Sequence, residues 1–159
     1  MSRLAKVVVA AMALMVTVAA PAWSQTLDKK VLSLEAAKRI AVAAETAARE
    51  KGVGVVIAVV DDGGHLILLH RLDDTQVASV NVGIGKARTA AIYRRPSKDF
   101  EDQIRAGRVA ALALADSTPL QGGVPIRLDG KVIGAVGVSG DTPQVDEAIA
   151  IAGAAAFGK

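Results

Sequence analysis

The chain holds few groups that could do chemistry, and they collect at the ends of apolar runs. His65 and His70 are its two histidines. Five positions separate them, so on a regular strand they point to opposite faces and cannot chelate one metal together. His65 follows a turn and is expected in solvent. His70 lies between Leu69 and Arg71 and alternates with Leu66 and Leu68. It reads either as a partly buried strand histidine or as a single axial ligand to haem iron, which neutral imidazole suits. Arg71 and Asp73 flank Leu72 and share a strand face. They form an ion pair worth about 0–1 kcal/mol at a solvated strand end, or Arg71 is oriented for a carboxylate ligand. Residues 122–140 read GGVPIRLDGKVIGAVGVSG. A strand that stops in Gly-Val-Ser-Gly offers backbone N–H groups and the Ser139 hydroxyl where a helix then starts. Gly122, Gly123, Ser139, Asp146 and Lys86 are therefore candidate ligand contacts, because pockets gather at strand ends and helix starts. Asp146 and Glu147 also have a simpler reading, since acids suit the first turns of a helix.

Several chemistries are excluded. Val82-Gly83-Ile84-Gly85-Lys86-Ala87 hints at a phosphate loop but lacks its first glycine, Val80 standing there, and its Ser/Thr, Ala87 standing there. Ser139 has no local base and misses the G-x-S-x-G elbow. No His/Cys cluster has metal-ligand spacing, and the chain has no cysteine. No catalytic residue is assigned.

The amino terminus reads as a leader. Arg3 and Lys6 precede an apolar run from Val7 to Ala20 interrupted only by Thr17, then Pro21 and Ala22-Trp23-Ser24. This is the pattern of a secretory signal peptide cleaved before Gln25, with an uncleaved anchor as the alternative. The run falls short of the roughly 20 residues of a spanning helix. Residues 1–24 are thus expected to be removed, and residues 25–159 to form a single periplasmic or secreted domain. Removal leaves 17 basic against 16 acidic side chains, a net charge of +1. A near-neutral domain gives no argument for nucleic acid or an anionic membrane as partner. Without disulfides, packing alone must hold it.

The elements that carry these groups follow from periodicity. Ser33 caps a helix from Leu34 to about Glu50, closed by Gly52. Its apolar stripe is Leu34, Ala37, Ile40, Ala41, Ala44, Ala47 and Ala48. Gly54–Val60 and His65–Leu72 form a hairpin around Asp61-Asp62-Gly63-Gly64, with both faces of the second strand apolar and covered. A helix spans Gln76 to about Ile92, buried through Val77, Val80, Ile84, Ala87 and Ala91, with Val82, Lys86 and Thr89 opposite. Gly83 and Gly85 cost that helix about 1 kcal/mol each, which suggests a close neighbour such as a second subunit. A short helix runs from Pro96-Ser97 to about Ala106, and an irregular strand is expected near the end of Val109–Leu120. A second hairpin turns at Asp129-Gly130, and Thr142-Pro143 opens the last helix. The order gives an α+β sandwich of helices about an antiparallel sheet.

Taken together, Val59-Val60-Asp61-Asp62-Gly63-Gly64, Arg71-Leu72-Asp73, Lys86-Ala87-Arg88-Thr89-Ala90, Gly122-Gly123-Val124-Pro125, residues 134–140 and Asp146-Glu147-Ala148 resemble the GlcG/HbpS-like proteins. The likeness covers nearly the whole mature chain in one order and is least good over Tyr93–Gln121. That family includes secreted haem-binding proteins, proteins linked to glycolate utilisation, and a domain of some corrinoid adenosyltransferases. The resemblance implies a profilin-like three-layer sandwich with a sheet of about five strands, a homo-oligomer, and haem as cofactor in some members. It supplies no haem ligand by motif, so His70 stands on its chemistry. The leading expectation is an exported protein that sequesters or transfers haem, with His70 on the iron and Arg71 or Lys86 on the propionates. The alternatives are a binding protein or enzyme for a small hydroxy acid or related carboxylate, and an oligomeric accessory module.

Overall fold

The computed structural model describes residues 25–158; the leader expected over residues 1–24 lies outside them. Helix α1 (Leu34–Glu50) begins where the Ser33 hydroxyl accepts the Ala36 N–H at 3.2 Å, satisfying an amide that a helix start leaves unpaired. Gly52, at φ +67°, ends it. Strands β1 (Val56–Asp61) and β2 (Leu66–Arg71) form the first hairpin. The Asp61 carboxylate shapes its turn by accepting the N–H groups of Gly63 and His65. Helices α2 (Ser79–Ile92) and α3 (Lys98–Arg105) follow, then a 3-10 turn over Val109–Ala113. Strands β3 (Gly123–Leu128) and β4 (Lys131–Ser139) make the second hairpin, and Pro143 opens α4 (Pro143–Ala154) at its first turn.

The sheet order is β2-β1-β4-β3, with every pair antiparallel. Side chains on a strand alternate between faces, and β1 uses both. Val55, Ile57 and Val59 pack with Ala37, Ile40, Ala41 and Ala44 of α1 and with Ile149 and Ala150 of α4. Ala58 and Val60 pack with Ala135 of β4 and Ala87, Ala90 and Ala91 of α2. The result is the α+β three-layer sandwich expected. Small residues set its thickness: a Cβ at Gly153 of α4 would lie 3.0 Å from Ala44 Cβ of α1.

Five details depart from expectation. The described residues form four strands, not about five. Val109–Leu120 makes a 3-10 turn and irregular chain, held by the Thr118 N–H on Thr89 Oγ1 and by Ser97 Oγ on the Leu120 carbonyl. Leu34 is exposed and Ala36 takes its place in the core, because the chain before it turns Leu32 inward. Val77, expected in the buried stripe, precedes α2 and is 73% exposed, whereas Lys86 and Thr89 within α2 are buried. The helix meets the sheet on one side and residues 118–123 on another, so its buried arc is wider than one stripe. That also corrects the reading of its glycines. Gly83 lies against Val56 and Gly85 against Thr118, both of the same chain. Finally, β2 is a half-exposed edge rather than a covered strand. A bulge opposite Val59/Val60 puts Ile67 and Leu68 together on the α1 side and leaves Leu69 on the α2 side.

Candidate functional site

The fold brings Lys86, Gly122, Gly123 and Asp146 together, but as a closed node. Lys86 leaves α2 and sends its ammonium past the end of the sheet. It donates to Asp146 Oδ2 at 2.7 Å and to the Val138 carbonyl at 3.0 Å. Its side chain is 5% exposed and that of Asp146 3%. The other carboxylate oxygen, Oδ1, accepts the Asp141 N–H at 3.1 Å. Glycine is required beside it. Gly122 sits at φ +124°, and a Cβ there would stand 3.0 Å from Lys86 Nζ. A Cβ at Gly123 would collide with the Lys86 carbonyl. Burial pushes the Asp146 carboxyl up, and the Lys86 ammonium and the Asp141 N–H pull it back. Lys86 thus has its charge and hydrogen bonds met inside the protein, so it is not the exposed cation expected from the sequence. Asp146 is more than a helix-dipole acid: it ties α4 to α2.

Ser139 is also closed in. Its hydroxyl lies 3.4 Å from Ser79 Oγ, and both serines are buried. Gly140 packs against the Gly54 carbonyl and Val55, so the Gly-Val-Ser-Gly end is covered by the start of β1. Arg71 does not join this group. It is exposed, and its Nη2 donates to the Thr75 carbonyl at 2.9 Å. That bond turns it toward its own loop rather than into a pair with Asp73. An open recess of about 630 Å³ does lie at this end of the sheet, lined by Arg49, Gly54, Asp73, Asp74, Gln76 and Gly140.

His70 sits elsewhere. Its partner across the sheet is Ile57, so it faces α1, while Lys86 belongs to the opposite layer. The His70 Nδ1 lies 3.0 Å from Glu45 Oε2. Glu45 Oε1 accepts two bonds from Arg49, from Nε at 2.9 Å and Nη2 at 2.7 Å. The His70 side chain is 31% exposed and that of Glu45 26%. The Arg49 hydrogen bonds, the largest effect, hold Glu45 below the usual carboxylate range, with His70 adding to them against partial desolvation. Sequence reasoning missed Glu45. Its i,i+4 spacing to Arg49 was visible; its contact with a histidine 25 residues away depends on how α1 lies on β2. Among the described residues no group of three or more His, Cys, Asp or Glu could hold a bare metal ion.

An antiparallel sheet between helical layers, with a carboxylate-held histidine on its edge, defines an α+β sandwich protein. The chain belongs to the HbpS-like family: the family model described as haem degrading protein HbpS-like matches residues 32–155. Protein GlcG of Escherichia coli strain K12 is 44% identical over 111 residues, 70% of this chain and 83% of that protein. The crystal structure of HbpS superposes with a TM-score of 0.80 at 31% identity, covering 85% of this chain and 96% of that one. The crystal structure of a PduOC–haem complex superposes with a TM-score of 0.74 at 26% identity, covering 81% and 96%.

Proposed function

We propose that this protein binds haem outside the cytoplasm and sequesters it or passes it on. The observation that carries the reading is the His70 imidazole on an edge strand, held through Nδ1 by Glu45 with Nε2 making no bond to the described residues. Imidazole is a common haem-iron ligand. The surroundings suit a flat apolar body with acidic arms. Half-buried Leu68 precedes His70 by two residues on the same side, and Val42, one turn before Glu45, is 57% exposed. Arg71, exposed and next to His70 in sequence, bonds the Thr75 carbonyl through Nη2 alone and keeps further guanidinium N–H groups for a carboxylate. The haem-bound PduOC relative and the family description support the same ligand. Haem, when bound, would bring a porphyrin and an iron; the protein's part would be to present His70, cover the ring and pair its carboxylates.

Titration of the mature protein with hemin should give a saturable shift of the Soret band, and His70→Ala should weaken binding or move the band. Absence of saturation overturns the reading. A bound spectrum indifferent to His70→Ala moves the ligand elsewhere. Export rests on the leader pattern of residues 1–24. Amino-terminal sequencing of protein from the periplasmic or secreted fraction should begin at Gln25, and recovery of the full chain from the cytosol would overturn it.

A further inference from the structure

We infer that Glu45, clamped by Arg49, is a positioning residue that fixes the His70 proton on Nδ1 and presents Nε2 as a lone pair to its ligand. The inference rests on the haem reading for what that ligand is. The geometry is a relay of three groups. Arg49 and Glu45 are one turn apart on α1, so they pair without cost to the helix. Both guanidinium bonds go to a single oxygen, Oε1. That leaves Oε2 for the imidazole, 3.0 Å from Nδ1. A carboxylate paired with a guanidinium is an acceptor only, so the imidazole nitrogen facing it must be the donor. Neutral imidazole carries one N–H. With that proton on Nδ1, Nε2 is unprotonated and can coordinate without first losing a proton. Carboxylates placed this way behind a ligating histidine fix its tautomer and ring orientation and raise its basicity, and removing them costs about 10–100-fold in affinity.

The partial exposure of the trio fits such a role. An ion pair kept only for stability at the surface contributes little, whereas this one aims a third group. Neither partner belongs to the Lys86–Asp146 node, so changing Glu45 leaves the buried core untouched.

Two measurements on wild type and Glu45→Gln test this. The first uses the protein without haem: nitrogen-15 shifts of the His70 ring. Wild type should show the neutral ring protonated on Nδ1, and Glu45→Gln should shift the proton toward Nε2. The second is hemin affinity, expected to fall about 10–100-fold in Glu45→Gln with the thermal transition nearly unchanged. Arg49→Gln should fall in the same direction by less. Wild-type His70 protonated on Nε2, or a variant with unaltered tautomer and hemin affinity, overturns the inference. Wild type that binds no hemin while showing the expected tautomer overturns the haem reading and the ligand role with it, leaving only the relay.

Discussion

At the scale of single residues, two polar pairs behave differently because water reaches only one of them. Lys86 and Asp146 are sealed from solvent, so each depends on the other. Lys86→Met leaves a buried carboxylate without its ammonium and should destabilise the protein by about 3–5 kcal/mol. Replacing both, Lys86→Met with Asp146→Leu, should restore much of that loss, since a buried ion pair and an apolar pair of similar volume are often equivalent. Urea unfolding of the two variants decides it; a double variant as weak as the single one would show that the pair does more than cancel its own desolvation. Glu45 lies nearer water and titrates. Its folded-state pKa lies below the ordinary value of 4.5. The stability from its pairing is therefore present above that value and lost as pH falls through the folded one. Wild type should exceed Glu45→Gln in stability at pH 7 by only the small margin of a partly exposed pair, and the gap should close as pH falls below 4.5 and through the folded value. A gap that persists at low pH would remove the carboxylate's charge from the account. Neither pair could be read from the sequence. Helical periodicity gives α2 a single buried stripe and puts Lys86 opposite it, and Glu45 is one of several acids on an outer face.

At the scale of elements, the close contact of α2 with β4 governs how the layers meet. Gly137 of β4 faces the Gly83 carbonyl and the backbone of Ala87, and a Cβ there would stand 2.8 Å from Ala87 Cβ. Gly137→Ala must push the helix off the sheet and should cost about 1–3 kcal/mol. Gly52→Ala, in open space at φ +67°, adds no clash and costs only backbone strain. Comparing their urea midpoints checks the argument; equal losses would mean that layer spacing is not tight at Gly137. Helix starts and hairpin turns were legible, because Ser33, the Asp61–Gly64 turn, Asp129-Gly130 and Pro143 act through bonds within a few residues. The Val109–Leu120 segment was not. Its apolar composition suits several local structures, and its conformation is set by partners on α2 and α3.

At the scale of the whole molecule, the surface still carries apolar side chains: Val77 is 73% exposed, Val109 65% and Leu112 64%. Val109 and Leu112 share the 3-10 turn, and apolar side chains exposed together often mark contacts between proteins. The mature protein is expected to self-associate in light scattering, and Val109→Glu with Leu112→Glu should lower the mass. A wild-type monomer at high concentration would count against it. The sequence by itself determined the kinds and order of elements, their caps and turns, the cysteine-free Ala/Val/Ile/Leu core and the family likeness. These depend on periodicity and short-range hydrogen bonding, which local residue types encode. Only the tertiary structure decided which polar groups are sealed and which are presented. It shut Lys86, Ser139 and Asp146 inside and left His70 at an edge with Glu45 behind it. Burial and long-range pairing depend on how layers stack, and no single segment carries that information.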